Sequence, residues 1–236
     1  MNTGFYKDLD TNFEQAYELC GKDFSHNELV ALLDSGNIPQ KQIAALKFDY
    51  VKSKEDAEAL LNNLTGCDGK IREAIAMKIF QLISANNCVG EYFTQLSPKV
   101  FADATIDINA NICRLIVDSV VYLDKNSQFV SDYVDFLVSY TIDALDELDK
   151  FIFRDKKYVI NKQLFKLYWC LESLKNFYDK VDSTTLESLL KRSIAQNEYT
   201  VREKAAQIIQ KSGMFEELKA KLMNDENYYV RAVFMQ

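Results

Sequence analysis

The sequence predicts an all-α chain, an α-solenoid of about six stacked antiparallel helical hairpins wound as a right-handed superhelix. Three observations predict it. Chain breakers are scarce, with 7 Gly and 2 Pro in 236 residues, which leaves little material for the tight turns of an all-β fold. Apolar residues make up 48% of the chain and recur at helical spacing rather than in strict alternation. One short phrase also returns: GCDGKIREAIAMKIFQL at 66–82 reappears as NEYTVREKAAQIIQKSG at 197–213. In both, a polar turn leads into Ile or Val, then Arg-Glu, then Ala and Ile one helical turn apart.

Residues 1–24 read as a capping helix, with Phe5, Leu9, Phe13, Ala16 and Tyr17 as its apolar positions. A single repeat domain over 1–236 then places hairpins at 25–52, 53–86, 88–123, 127–180, 183–213 and 214–236. First helices fall at 27–34, 54–64, 89–103, 128–150, 184–196 and 215–223, the third broken at Pro98 because proline cannot donate to the helix. Second helices enter near residue 40 and at Ile71, Ile108, Ile160, Val201 and Val230. Most of these entries are roughly 30 to 40 residues apart, the span of two helices of about 11–12 residues with their joints. The long helix at 128–150 accounts for the widest gap. Ile108, Ile112 and Ile116 align with Ile71, Ile75 and Ile79, and in PQKQIAALKF at 39–48 Lys41 takes the Arg position. YVINKQLFKLYWCLESL, around Ile160, is the most divergent copy.

Capping chemistry agrees with this reading. Ser25, Ser53 and Ser183 stand where N-caps belong, and Ser25 with Glu28 and Ser53 with Asp56 have capping-box spacing. Gly36, Gly66 and Gly213 follow helices at positions that favour a left-handed residue.

A turn Asp or Asn, then Val/Ile-Arg, then Ala three or four residues on, resembles the second helix of a HEAT repeat. The clearest copies are 68–83, 197–212 and 225–234, and the resemblance extends loosely over 26–236. It implies that the turn acid and the Arg bond to neighbouring repeats, giving Asp68 with Arg72, Arg202 and Arg231 a structural role. It also implies that second helices line a concave binding surface. The Pro common in the family's first helix has no counterpart here. Independently of the name, Ala within each second helix lets helices approach closely while Ile and Leu fill the space between hairpins.

Composition narrows the function. A net charge of −7 and a pI near 4.9 disfavour binding to phosphate backbones, so nucleic acid is not the expected partner. The sequence lacks a secretory signal pattern and a bilayer-length apolar run, so the expected location is cytoplasmic, with no membrane. Cys20, Cys67, Cys88, Cys113 and Cys170 are odd in number, widely spaced and never CxxC, which suits reduced thiols rather than disulfides or metal ligands. No cofactor or metal is expected.

Two stretches stand out as partner-binding candidates. On 129–152, Val134, Leu137, Thr141, Ala144, Leu145, Leu148 and Ile152 form an apolar stripe opposite Asp132, Asp135, Ser139, Asp143, Asp146 and Glu147. Phe129, Tyr133, Phe136 and Tyr140 run down one flank. The acids read either as a solvated face or as a docking strip for a basic segment. On 160–178, Ile160, Leu164, Leu167, Leu171, Leu174 and Tyr178 form a core stripe, while Phe165 and Trp169 fall opposite it among Lys162, Lys166, Ser173 and Asn176. That pair reads either as a recognition hot spot or as the second buried side of a sandwiched helix. The apolar C-terminal helix, VRAVFMQ, offers an edge for self-association.

Catalytic signals are sparse. His26 is the only histidine and sits at a helix start. Carboxylate pairs such as Asp103/Asp107 and Asp143/Asp146 recur on any helical surface. A HEAT-like alkylpurine DNA glycosylase resembles the chain in size and architecture, and would cast Trp169, Arg154 and Glu172 as its aromatic, Arg and carboxylate. A HEAT-like lyase that attaches a bilin chromophore is a further enzymatic alternative. The expected function is a non-catalytic scaffold or adaptor that holds another protein on a curved helical surface.

Overall fold

The computed structural model describes residues 3–150 and 157–235, with the side chains of 11–86, 88–150 and 160–235. Among the described residues all regular structure is helical. Helices pair into hairpins and the hairpins stack, which makes the chain an α-solenoid. Two compact units can be distinguished, Met1–Phe129 and Val130–Gln236.

The first unit comprises α1 (Thr3–Cys20), α2 (His26–Ser35), α3 (Ile38–Lys47), α4 (Lys54–Leu61), α5 (Gly69–Ala85), α6 (Asn87–Phe93), α7 (Pro98–Thr105) and α8 (Ala110–Val121). Helices α2, α4 and α6 follow one another on one side, while α3, α5 and α8 do so on the other. α1 packs on α3. The side chains of Phe5 and Leu9 lie outside the described residues; Phe13 and Tyr17 are exposed. α5 is flanked by second helices on both sides, so its buried residues go almost all the way round: Ile71, Ala74, Ile75, Ala76, Ile79, Leu82 and Ile83. The small residues Ala74 and Ala76 allow that approach, and each Ile removed from water contributes roughly 1.5–3 kcal/mol.

The second unit contains α9 (Gln128–Lys150), α10 (Lys157–Leu174), a 3-10 turn at Tyr178–Lys180, α11 (Ser183–Ser193), α12 (Tyr199–Ser212), α13 (Glu216–Met223) and α14 (Tyr228–Ala232). α10, α12 and α14 pack in sequence, with α11 and α13 against α12. The expected stripe of α9 is buried from Val134 to Leu148; Ile152 lies outside the described residues. The Tyr133 hydroxyl, near the start of α9, is 2.8 Å from the Ser173 hydroxyl near the end of α10, so the two helices run antiparallel.

Local chemistry explains most boundaries. Ser25 and Glu28 form a reciprocal capping box, and Asn37 does the same with Gln40. Pro98 splits the expected helix at 89–103, ending α6 upstream and starting α7. Four details differ from expectation. Ser53 caps α4, but Asp56 does not reciprocate, because its carboxylate holds His26 Nε2 at 2.8 Å and the Lys52 amide at 3.0 Å. Asp182, not Ser183, caps α11, its longer carboxylate accepting from Thr185 N–H. Gly66 and Gly213 are left-handed (φ 75° and 64°), whereas Gly36 is extended. Gly36 is needed for closeness instead: a Cβ there would stand 2.4 Å from the Leu32 carbonyl oxygen.

The fourth difference is the register of α8. Ile108 does not enter the helix; it sits in the turn and is 83% exposed. Asn109 caps α8, so Ile112 stands three residues after the cap, as Ile71, Val201 and Val230 do after Asp68, Glu198 and Asn227. The repeat aligns one helical turn later than the isoleucine pattern suggests, because Asp107 and Asn109 build the turn through their side chains.

Candidate interaction surface on the second helices

The turns that start the second helices carry a repeated bonding pattern. The residue four after the cap is Arg72 in α5, Arg202 in α12 and Arg231 in α14, with Lys41 in α3 and Cys113 in α8. A helical side chain leans toward its own N-terminus, which brings each guanidinium back over its own turn. Arg72 Nη1 donates to the Cys67 carbonyl; Arg202 Nη1 donates to Gln196 and Asn197 at 3.0 and 2.8 Å. The other edge reaches the following turn. Arg72 Nε and Nη2 hold both oxygens of Asp107 at 2.8 and 3.2 Å, and Arg202 holds Asp225 at 2.8 and 2.9 Å. Each of these carboxylates also accepts an amide from the Asn two residues later, Asn109 or Asn227, at 2.8 Å. Hydrogen bonds to Asp107 and Asp225 hold the two guanidiniums above their ordinary range, and the Arg202 hydrogen bond depresses the Asp225 carboxyl.

Asp68 does not have the role expected of it. It occupies the cap position, accepts from Lys70 N–H at 2.8 Å, and is equivalent to Asn109 and Asn227 rather than to the acids that Arg binds. The ladder carboxylates stand two residues before the cap, where the turn of α5 has Gly66. At the corresponding position of α8, the Cys113 thiol makes the own-turn contact, donating to the Asp107 carbonyl at 3.0 Å.

Downstream of these anchored turns, α12 and α14 of the unit at 130–236 border an open groove of about 450 Å³. Lys175, Glu203, Gln207, Gln210, Lys211 and Tyr229 line it. Glu172 holds the lining residue Lys175: its Oε1 lies 2.6 Å from Lys175 Nζ, and its Oε2 2.6 Å from Lys204 Nζ. Burial pushes Glu172 upward, but the two lysines outweigh it and leave the carboxyl below its ordinary range. Burial likewise pulls Lys204 down, and its bond to Glu172 more than restores it. Lys204 also lies 5.0 Å over the Tyr168 ring, a cation–π contact that fixes the side chain. Tyr199 and Tyr229 stack at 6.1 Å beside the groove, and Tyr228 is 61% exposed.

The sequence candidates are distributed differently from the expectation. Trp169 is 6% exposed and packs edge-on against Phe165 and Tyr168. Ser173, expected in its polar surround, is fully buried against Tyr133. Thus α10 buries part of its second side as well, at Trp169 and Ser173. Phe165 and Lys166 are half-buried, and Lys162 is exposed. On α9, Asp135, Asp143 and Asp146 are exposed and Asp132 is half-buried. Asp146, with Asp149, is held by Arg192 of α11 at 2.7 and 2.6 Å, so part of this acidic face is neutralised inside its own unit.

The arrangement a glycosylase reading needs is not assembled here. Trp169 is buried, Glu172 is claimed by two lysines, and Arg154 lies outside the described residues. Among the described residues no cluster of three or more His, Cys, Asp or Glu is placed to hold a metal, and no helix is long and apolar enough to cross a membrane. The groove residues were not singled out from sequence. Their signal is present in the spacing of Glu203, Gln207, Gln210 and Lys211, a polar stripe opposite Val201, Ala205, Ile208 and Ile209.

No family model and no curated protein matches the chain. Among solved structures, an engineered protein from a structural genomics consortium is similar at 13% identity and TM-score 0.47, over 90% of this chain and 94% of that one. A designed armadillo repeat protein is similar at 14% identity and TM-score 0.46, over 89% and 97%. The stacking of hairpins rests on the contacts within the chain itself, to which likenesses at this level add nothing.

Proposed function

We propose that this chain is a HEAT-like scaffold that holds another protein along the second-helix groove of residues 130–236. The groove itself carries the reading: an open, mixed-charge channel with amide side chains and stacked tyrosines, built on helices whose turns are locked. Gln207 and Gln210 offer both donors and acceptors, which suits a polypeptide main chain, and tyrosine supplies contact area at low entropic cost. Asp135 and Asp143 of α9 and Lys162 of α10 are exposed elsewhere on the unit, while Trp169 is buried and Phe165 half-buried in α10. The HEAT assignment is supported by the Arg-to-next-turn carboxylate bonds of Arg72 and Arg202. A reducing cytoplasmic location suits Cys113 and Cys170, which are buried as thiols.

The test is quantitative affinity capture from native extract, with the full chain and with Gln210→Ala/Tyr229→Ala as baits. Both positions are exposed, so the double variant keeps its melting temperature. It should lose at least about ten-fold of a specific partner, as removal of interface anchors does. Equal recovery by both baits would refute the groove, and release of base from alkylated duplex DNA would replace the scaffold with an enzyme.

A further inference from the structure

A recess of about 400 Å³ opens in residues 1–129 where the chain enters α2 and leaves α3. Asp23, His26, Leu29, Leu46, Asp49 and Tyr50 line it. The side chain of His26, the only histidine, is 9% exposed and held on three sides. Asp56 Oδ1 lies 2.8 Å from Nε2, and Asp56 is itself fixed by the Lys52 amide at 3.0 Å. The Tyr50 ring stacks on the imidazole at 4.5 Å, and Phe48 lies tilted against it at 5.0 Å. A carboxylate only accepts, so Nε2 carries the proton and the neutral ring keeps its lone pair on Nδ1. Nδ1 has no hydrogen-bond partner among the described residues and is not sealed from solvent; it opens on the recess that the ring lines. Asp23 and Asp49 likewise make no hydrogen bond or ion pair among the described residues. The nearby lysines are committed elsewhere. Lys47 Nζ donates to the Lys22 carbonyl at 2.7 Å and lies 5.9 Å over Phe24; Lys52 Nζ lies 5.7 Å over Tyr50. Lys78 of α5, pulled below the ordinary lysine range by burial, feels the Asp49 charge without bonding to it.

We propose that this recess binds a guanidinium cation, whose head donates to the Asp23 and Asp49 carboxylates and to His26 Nδ1. Two exposed acids alone would be an ordinary solvated surface; the enclosed, fixed imidazole with an unused acceptor beside them makes the recess a binding site. Among the described residues no three of these groups are placed to hold a metal ion, so the acceptors suit a broad head with several N–H donors. A guanidinium carries five such donors in a planar fork that matches carboxylates, whereas an ammonium is a compact point charge. Leu29 and Leu46 give its aliphatic stem an apolar wall. The volume falls in the range of small-ligand sites. This recess shares no residue with the groove at 130–236 and does not depend on it.

Because His26 is the only histidine, its imidazole resonances report the site without ambiguity. Nα-acetyl-arginine amide, titrated into the full chain and followed by NMR, should shift them saturably at millimolar concentration. Asp23→Asn and Asp49→Asn should each weaken binding by about five-fold or more, the loss of one hydrogen bond to a charged group. Both acids are exposed and unpaired, so Tm should not change. n-Butylammonium should bind more weakly, and Nα-acetyl-aspartate should leave the resonances in place. A Gly-Arg-Gly peptide separates the sources: binding much tighter than the capped amino acid assigns the site to an arginine of a protein, and equal binding to a free guanidinium compound. No saturable shift, the same shift from n-butylammonium or magnesium chloride alone, or binding indifferent to both substitutions would overturn the proposal.

Discussion

Arg202→Ala is the perturbation that the geometry weighs most heavily. The Arg202 side chain is 7% exposed and serves two turns at once: two carbonyls of its own and both oxygens of Asp225, whose side chain is 10% exposed. Truncation leaves a nearly buried carboxylate with only the Asn227 amide, and two carbonyls without their donor. Removing one partner of a buried ion pair costs about 3–5 kcal/mol. The proximity of Asp225 to the surface argues for the lower end, about 3 kcal/mol. For a chain of this size that lowers Tm by roughly 6–12 °C. Differential scanning calorimetry, with Asp225→Ala and the double variant, closes the cycle, and the two single effects should sum to clearly more than the double. The pH dependence follows from the depressed carboxyl of Asp225. Its contribution is complete above the unfolded value near ~4 and is lost as pH falls through the lower folded value, so the coupling should persist at pH 7 and fade under strong acid. Additive single variants, or a Tm loss below about 1 °C, would refute the role of this arginine.

Two further outcomes follow. Trp169→Ala should lower stability by about 3–5 kcal/mol, since a large buried side chain is removed from between layers; an unchanged urea midpoint would show that the indole is a surface group after all. Thiol labelling should proceed in two classes: Cys20 and Cys88 are exposed and should react quickly, whereas buried Cys113 and Cys170 should react only on unfolding. Burial lifts the Cys170 thiol to about 12, so rapid modification of Cys170 in the folded chain would contradict its placement.

Much of the fold was legible because its signals are local. Helical spacing, the Ser25–Glu28 box, the break at Pro98 and the left-handed Gly66 and Gly213 each depend on residues within a few positions. Where the reading failed, a contact distant in sequence had decided the matter. Asp56 cannot close its box because His26, 30 residues away, holds it. Ile108 looked like a helix entry, but Asp107 is committed to Arg72, 35 residues earlier, and that fixes the turn. The helical wheel of 160–178 left Phe165 and Trp169 open between a hot spot and a second buried side, and packing decides for burial at Trp169 and Ser173. Ser173 finds its partner only when Tyr133 is packed against it. The groove was missed for a related reason: its lining comes from α12, α14 and Lys175 just past α10, and none of these alone has an unusual residue.

The central claim is successive layering: in residues 1–129 the helix α5 lies between α3 and α8. Spin labels at the exposed positions Leu46, Gln81 and Val121 report it directly, one on each second helix toward its C-terminal end. With interaxial spacings of about 8–10 Å per step, pulsed-EPR distances should place Gln81 between the other two, and the 46–121 distance should approach the sum of the neighbouring pair. Three similar distances would mean helices gathered around one closed centre, and the stack would be wrong.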